Sequence, residues 1–263
     1  MKPLARKTVL VTRPEERADH LVELLESRGA TAIRAPSIEI HPVRSAELTR
    51  ALMDLAAGEF AWIVLTSPAT VGMLAERLTS PDDVRARVAA IGDGTAAAFR
   101  RWADRQPDRK PSTFTTEGLA KSFPSGEGRV LCARADIAPE GLEDALASKG
   151  WSPTRVDAYR TSFPKTLPGA ARDALRSGTV DAITFTSAST VRGFVQAIGA
   201  VAGNPKVVCI GPVTAKEARD HGMTVHAVAK PHTSEGLVEA LERVFTPRRR
   251  SGAAGMAGHL LRT

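Results

Sequence analysis

Hydroxyl side chains recur in this chain at points where runs of apolar, strand-forming residues end. The stretch LTSPATV carries Thr66 and Ser67, and the stretch FTSASTV carries Thr186 and Ser187 in the same arrangement. Serine and threonine at such points can cap the following helix by accepting a hydrogen bond from its first N–H groups. They can also bind a carboxylate or phosphate held at the same helix N-terminus. Capping explains each pair taken singly, whereas the repetition favours an anionic ligand held from two sides.

Other polar or glycine-rich stretches occupy the same kind of place, between a strand-like run and a helix-like one. In an open parallel α/β sheet, ligands bind outside the carboxyl ends of the strands, which is where these stretches would lie. We therefore expect them to line one cleft together with the two hydroxyl pairs. They are Thr12, Arg13, Arg134, the stretch from Gly92 to Thr95 and the stretch from Gly211 to Thr214.

Tyr159 is the only tyrosine in the chain. Its phenol is neutral at pH 7, so it can donate a proton or a hydrogen bond inside a cleft. The alternative is that the ring packs at a domain junction and leaves its hydroxyl in water. Composition alone favours this packing role.

The sequence gives little support for more specific kinds of chemistry. The stretch GDGTAA (92–97) resembles a dinucleotide-binding fingerprint, but the corresponding GPVTAK lacks the second glycine. Neither a GxxxxGK[ST] phosphate loop nor a GxSxG nucleophile motif is present. His221, His226 and His232 are better explained as solvated histidines than as metal ligands. We expect neither a metal nor a cofactor.

Charge and composition limit the class of partner. The net charge is +7, and the four arginines of residues 247–263 account for +4 of it, which leaves +3 for the rest of the chain. A mildly basic body suits an acidic small molecule and not a nucleic acid backbone. The basic tail at 247–263 is expected to be disordered. No signal peptide or membrane-spanning run is recognisable, so the expected location is the cytoplasm.

Strand-like runs alternate with amphipathic segments along the whole chain. In one example, TVLVT (8–12) precedes a segment in which Leu21, Leu24 and Leu25 keep helical spacing. Alternating strands and helices are typical of α/β domains with parallel sheets. The length of 263 residues suits two domains.

The chain also repeats itself at an offset of about 120 residues. VLVTR matches VLCAR, LTSPATV matches FTSASTV, IGDGTA matches IGPVTA, and TTEGL matches TSEGL, all in the same order. This period is too long for a solenoid repeat and indicates a duplicated domain.

Two divisions of the chain are compatible with the repeat. A cut near Gly126 would give 7–125 and 128–245. Alternatively, the Pro-containing segments 36–43 and 157–164 pair as linker strands, so that the middle of the chain forms one domain and its two ends form the other. Counting strands favours the second division slightly, and the sequence leaves both open. The candidate strands are 61–65, 88–91, 112–114, 129–133 and 153–156 in the middle, and 8–12, 31–35, 181–185, 206–210 and 224–227 at the ends.

Taken together, these motifs resemble the uroporphyrinogen-III synthase family. The resemblance rests on the opening VLVTRP, the paired LTSPATV and TFTSAST, the paired IGDGTA and IGPVTA, AYRT, and TSEGLVEAL, and it spans residues 4–245. It implies two flavodoxin-like parallel-sheet α/β domains joined by a two-stranded linker. The implied parts are a discontinuous domain of 1–36 and 163–246, linker strands at 37–43 and 157–162, and a second domain at 44–156.

The resemblance also implies a cofactor-free hydro-lyase that acts on hydroxymethylbilane, a linear tetrapyrrole with eight carboxylates. Loss of the terminal hydroxyl as water leaves an azafulvenium cation, and closure through a spiro intermediate inverts the last pyrrole ring to give uroporphyrinogen III. By position, Tyr159 would help the hydroxyl to leave, and Thr95 and Thr214 would act from opposite cleft walls. The implied substrate-binding residues are Thr12, Arg13, Thr66, Ser67, Arg134, Thr186, Ser187, Gly211, Thr233 and Ser234.

Some features depart from this pattern or leave alternatives. Val213 stands where such a turn often carries a second hydroxyl, so one donor is missing. A non-catalytic two-domain binding protein or sensor for an anionic small molecule would have much the same sequence. The resemblance implies a monomer that receives its substrate by transient hand-over from hydroxymethylbilane synthase, with no role for nucleic acid or membrane.

Overall fold

The computed structural model describes residues 2–199 and 201–246. The predicted tail at 247–263 lies outside the described residues. Within them, the strands are β1 (Thr8–Val11), β2 (Thr31–Arg34), β3 (Glu39–Pro42), β4 (Trp62–Leu65), β5 (Arg87–Ala90), β6 (Arg129–Ala135), β7 (Ser152–Ser162), β8 (Ala182–Phe185), β9 (Lys206–Cys209) and β10 (Val225–Val228). The helices are α1 (Asp19–Ser27), α2 (Ala46–Ala57), α3 (Pro68–Arg77), α4 (Asp93–Ala103), α5 (Thr116–Ser122), α6 (Leu142–Ala147), α7 (Gly169–Arg176), α8 (Ala188–Ala197), α9 (Pro212–Asp220) and α10 (Ser234–Phe245), with short 3-10 helices at Glu15–Arg17 and Pro81–Asp83.

One sheet is built from the two ends of the chain, and we call it the terminal sheet. Its strand order is β10-β9-β8-β1-β2, and every neighbouring pair is parallel. Counted along the sheet from β2, this is the flavodoxin-like order in which the first strand lies between the second and the third. The two apolar clusters that contain Leu10 and Val9 cover its opposite faces.

The other sheet, the central sheet, has the order β3-β7-β6-β4-β5. Strand β7 is continuous over 11 residues and has two partners. Its first part runs parallel to β6, and its last four residues run antiparallel to β3, with Pro42 opposite Tyr159. The two segments expected to be linker strands therefore pair with each other at the edge of this sheet. Gly126 lies between β5 and β6 in the sequence, so a division of the chain there would split this sheet. The residue boundaries of the two domains stay a prediction.

The two sheets share one strand order. The order β7-β6-β4-β5 in the central sheet matches β2-β1-β8-β9 in the terminal sheet, in agreement with the sequence repeat. The prediction of a fifth strand at 112–114 is wrong, because these residues form no strand. Beyond β5 there is only an isolated bridge between Ala89 and Arg109. Pro107 and Pro111 flank this bridge, and since proline has no N–H to donate, they interrupt longer pairing.

Strands β4 and β8 illustrate why the sequence runs are uniformly apolar. All four residues of WIVL in β4 and of AITF in β8 are buried, because helices cover both faces of each sheet. The chain then leaves each of these strands through a partly buried Thr-Ser pair and enters a helix at once. This places the hydroxyl pairs at the carboxyl edges of the two sheets.

Candidate active site

Residues at the carboxyl edges of the two sheets contact one another. The ring of Phe114, before α5, lies 5.3 Å from the ring of His232, before α10, in an edge-to-face arrangement. A Cβ atom placed on Gly94 would stand 3.9 Å from the carbonyl oxygen of His232, and one on Gly72 would stand 3.3 Å from Nη2 of Arg17. The two carboxyl edges therefore meet at two places, and we call the space between them the cleft.

Tyr159 and Ser67 meet at this cleft. Tyr159 lies on β7 and is 9% exposed, with its ring in the core and its hydroxyl 2.9 Å from Oγ of Ser67. Ser67 is the N-cap of α3, where its Oγ accepts a hydrogen bond from the N–H of Thr70 at 3.2 Å. Burial raises the pKa of the Tyr159 phenol, while the Ser67 hydrogen bond and the charge of Arg17 oppose this shift. The phenol therefore holds its proton at neutral pH and can give it up beside a positive charge.

Thr95 and Thr214 occupy equivalent positions on the two sheets. Each is the third residue of its helix, α4 or α9, and each is 4% exposed. The N-caps of these helices are Gly92 and Gly211, so no side chain caps the first N–H groups. In the described part of the chain, neither threonine hydroxyl makes a hydrogen bond to the protein. Both helix starts thus keep donors and partial positive charge available for an anion.

Some of the remaining hydroxyls cap helices, and others make no hydrogen bond within the described residues. Ser187 caps α8 by accepting from the N–H of Thr190 at 3.1 Å, and Thr233 caps α10 by accepting from the N–H of Gly236 at 3.3 Å. Thr66 and Thr186 are partly buried at the ends of β4 and β8, and within the described residues their hydroxyls make no hydrogen bond. The capping role weighed for the serines is therefore real, and the threonine beside each of them is open to a ligand.

Arg13, Arg17 and Ser234 form the wall that follows β1. Nη1 of Arg13 donates to Oγ of Ser234 at 3.1 Å. Burial lowers the pKa of both arginines, and the charge of Arg17 further lowers the pKa of Arg13. Arg17 was missed in the sequence because it lies four residues after the VLVTR motif, in a polar stretch without apolar periodicity.

Thr12 and Arg134 are buried and form hydrogen bonds within the protein. Thr12 is fully buried and donates from Oγ1 to the carbonyl oxygen of Thr184 at 2.7 Å. Arg134 is 1% exposed, and its Nη1 donates to both carboxylate oxygens of Glu143 at 3.0 Å. Its charge lowers the pKa of Tyr159 from within the protein. Their role in substrate binding stays a prediction, and the bonds present are structural.

The described residues hold no group of three or more histidines, cysteines or acids placed to bind a metal ion. Over the same residues, no helix combines the length and the apolar character required to cross a bilayer. The chemistry of the cleft consists of hydroxyls, guanidinium groups, helix N-termini and one phenol.

Comparisons with known proteins agree on one family. The model of the family HEM4, described as uroporphyrinogen-III synthase HemD, matches residues 19–239. The chain is 30% identical over 259 residues to the uroporphyrinogen-III synthase of Synechococcus elongatus, covering 92% of this chain and 97% of that protein. It is also 30% identical to the porphyrin biosynthesis protein HemD of Ruminiclostridium josui, of which it covers 49%.

Solved structures show the same fold. A mutant uroporphyrinogen III synthase from the extremely thermophilic bacterium Thermus thermophilus superposes with a TM-score of 0.62 at 23% identity, over 90% of this chain and 98% of that one. At this level of identity the likeness concerns the two-domain α/β architecture. The sequence match over most of the chain is what decides the family, and on that ground the chain belongs to the uroporphyrinogen-III synthase family.

Proposed function

We propose that the cleft between the two sheet edges closes hydroxymethylbilane to uroporphyrinogen III, with inversion of the last pyrrole ring and loss of water. This is the uroporphyrinogen-III synthase reaction of haem biosynthesis, a hydro-lyase activity. The observation that carries the proposal is the Tyr159 hydroxyl, bonded to Ser67 where the two sheets approach each other. It supplies a neutral proton donor in a cleft whose other groups suit carboxylates.

Departure of the hydroxyl is the step assigned to Tyr159. The phenol transfers its proton to the leaving hydroxyl, the carbon–oxygen bond breaks, and water departs, which leaves an azafulvenium cation and a phenolate. The charge of Arg134 favours the phenolate, since it lowers the pKa of Tyr159 from within the protein. Ser67 donates to the phenolate oxygen and keeps it in place. General acid catalysis of this kind contributes about 10²- to 10⁴-fold to a rate.

Ring inversion is assigned to positioning. Attack from the substituted carbon of the last pyrrole needs that ring turned towards the cation, a geometry that a free chain rarely samples. Thr95 and Thr214 stand at uncapped helix starts on the two sheets and can hold the chain from opposite sides. Fixing reactive ends in this way can account for several kcal/mol of a barrier.

The carboxylates of the substrate are assigned to the donors of both edges. Charge-assisted hydrogen bonds to such groups are each worth about 1.5–3 kcal/mol, before the cost of ordering the ligand. The surface donors are Arg13, Thr66, Ser67, Thr186, Ser187, Gly211, Thr233 and Ser234. Thr12 and Arg134 support this surface from beneath it.

The proposal includes a monomer in the cytoplasm that takes hydroxymethylbilane directly from hydroxymethylbilane synthase. The chemical reason for hand-over is that the free substrate closes spontaneously to the type I isomer. Mixing the two proteins with a trap for free hydroxymethylbilane would test it, since hand-over protects the type III yield from the trap.

Isomer analysis tests the activity itself. Freshly generated hydroxymethylbilane is supplied to the purified protein, the products are oxidised, and type I and type III porphyrins are separated. An excess of type III that scales with protein concentration supports the proposal. Type I alone with tight tetrapyrrole binding would indicate a binding protein instead, and type I without binding would overturn both functions.

A further inference from the structure

Arg13 and Arg17 form a cationic pair on the wall that follows β1. Arg13 leaves the end of the strand, and Arg17 ends the 3-10 helix Glu15–Arg17. The two guanidinium groups lie close enough for the charge of Arg17 to lower the pKa of Arg13. Burial is the larger cause of the lowered pKa in both residues. Both arginines are only partly exposed, and just three residues separate them along the chain, so two like charges lie near each other in a partly desolvated place.

The pair has no counter-ion of its own among the described residues. Neither guanidinium makes an ion pair there, and the single side-chain hydrogen bond of the two is from Arg13 to the neutral hydroxyl of Ser234. Partly buried charges are costly unless an opposite charge or several hydrogen bonds compensate them. The arrangement therefore favours binding of an anion from outside the protein.

The nearby acidic side chains do not act as counter-ions for this arginine pair. Glu235 raises the pKa of Arg13 from a distance, but it is bonded to Nε2 of His20 at 2.7 Å, and this bond holds the pKa of Glu235 down at about 2. Glu16 and Glu76 raise the pKa of Arg17, yet both are exposed and neither forms an ion pair with it.

Arg17 also reaches from the terminal sheet to the central one. Its Nη2 atom lies 3.3 Å from the point where Gly72, on α3, would carry a Cβ atom. The same helix begins at Ser67, the hydrogen-bond partner of Tyr159, and the phenol is the largest influence on the pKa of Arg17 after burial. An anion held by the arginine pair would therefore touch residues of both sheets and lie beside the proposed acid.

We propose that Arg13, Arg17 and the surface of α3 at Gly72 form a subsite for one carboxylate of the tetrapyrrole, built from both sheet edges. The proposal rests on the proposed function and names a binding residue, Arg17, that the motifs do not. A guanidinium pair binds a carboxylate through several parallel N–H donors. One acidic side chain of the substrate bound there would contact both sheet edges and lie beside Tyr159.

The test is a comparison of Arg17→Gln, Arg17→Lys and Gly72→Ala with wild type, with Arg50→Gln as the matched control. Arg50 is an exposed arginine on α2 that makes no ion pair with the described residues. Arg17→Gln should raise KM for hydroxymethylbilane at least tenfold, in line with loss of a charge-assisted hydrogen bond, and change kcat by less than about threefold. Gly72→Ala should raise KM by a smaller factor, since its Cβ displaces the guanidinium slightly in a helix that alanine favours. Arg17→Lys should recover part of the loss, and Arg50→Gln should match wild type.

A binding readout separates this proposal from the activity. Each variant is titrated with uroporphyrin I, an octacarboxylate that needs no turnover, and the Kd is followed by tryptophan fluorescence. A tenfold weaker Kd for Arg17→Gln supports the subsite even if wild type forms no type III isomer. An unchanged KM and Kd would overturn it, as would a lower kcat at constant KM, which would make Arg17 a positioning residue for Tyr159 instead. Equal melting temperatures of wild type and variants verify that folding is intact.

Discussion

At the scale of single residues, Tyr159 combines a structural and a chemical role. Its ring is part of the core of the central sheet, as the packing interpretation expects, while its hydroxyl reaches the N-cap of α3. A phenylalanine at this position would keep the packing and remove only the oxygen. The two roles can therefore be separated by one substitution.

We expect Tyr159→Phe to lower kcat about a hundredfold or more without abolishing type III formation. The phenol contributes general acid catalysis, whereas positioning by both edges is untouched. Loss of one hydrogen bond should cost about 1 kcal/mol of unfolding free energy. Steady-state kinetics and urea unfolding measure the two effects. A rate within error of wild type would remove the catalytic role of Tyr159.

The pH dependence of the wild-type rate follows from the direction of the pKa shift. Burial raises the pKa of Tyr159 above its ordinary value of 10, so the folded protein holds the phenolic proton more tightly than the unfolded chain does. The phenol therefore stays protonated through the neutral and mildly alkaline range, and it loses its proton only above about pH 10. We expect kcat to show no alkaline decline due to this group below about pH 9. A decline near about pH 8 that disappears in Tyr159→Phe would contradict this assignment.

Sequence patterns predicted that the hydroxyls lie at strand ends, whereas they did not predict how the arginines are bonded. The Ser and Thr residues follow strands, and strand ends can be recognised from apolar runs. A motif cannot tell which polar side chain turns inward, so Arg134, with its bond to Glu143, was expected at the ligand surface. Arg17 could not be predicted for the complementary reason, since its contact at Gly72 is with a helix residue 55 positions further along the chain.

At the scale of elements, two glycines explain one of the repeated motifs. Gly118 in TTEGL and Gly236 in TSEGL are each the third residue of a helix, α5 or α10, and each donates its N–H to the capping threonine. A Cβ atom would lie 2.2 Å from the carbonyl oxygen of Thr113 in the first case and 2.0 Å from that of Pro231 in the second. The loop before each helix passes too close for any side chain, so both copies need glycine for the same reason.

We expect Gly118→Ala and Gly236→Ala each to lower the unfolding free energy by about 1–3 kcal/mol, because backbone must move to admit the methyl group. Gly169→Ala is the matched control, since no atom lies within 4 Å of its Cβ position at the start of α7. It should be neutral or stabilising by up to about 1 kcal/mol. Urea unfolding of the three variants makes the comparison. Equal effects at all three positions would contradict the steric explanation.

Most elements could be predicted from apolar periodicity, and the failures have physical causes. The strand predicted at 112–114 fails because Pro107 and Pro111, on either side of the bridge between Ala89 and Arg109, have no N–H with which to continue the ladder. The predicted strand at 153–156 is the beginning of β7, which continues through the linker segment to Ser162. Periodicity reports which faces are buried and cannot report that one strand changes partners halfway along.

At the scale of the whole molecule, the repeated sequence becomes two sheets of one strand order whose carboxyl edges meet. The contacts that bring them together join residues more than 50 positions apart, such as Phe114 with His232 and Arg17 with Gly72. No local pattern encodes such a pair, so the repeated strand-end motifs predict a shared cleft without predicting which residues meet across it. The approach matters for the proposed function, because it brings groups from both sheets to one cleft.

Substitution of Val213 tests the role of the cleft without disturbing the fold. It is 47% exposed and is the second residue of α9, next to the helix start at Gly211. A carboxylate at this position would favour the helix by about 0.3–1 kcal/mol through its dipole. The same carboxylate would repel the acidic side chains of the tetrapyrrole. Val213→Thr, which adds a hydroxyl of similar size, is the matched control.

The proposed site of ring inversion is tested by the type III fraction formed from hydroxymethylbilane by wild type, Val213→Glu and Val213→Thr at equal concentration. We expect mainly type III from wild type and from Val213→Thr, and mainly type I from a well-folded Val213→Glu. Type I alone from wild type would contradict the activity. A type III fraction from Val213→Glu equal to that of wild type would contradict the claim that ring inversion takes place between the two sheet edges.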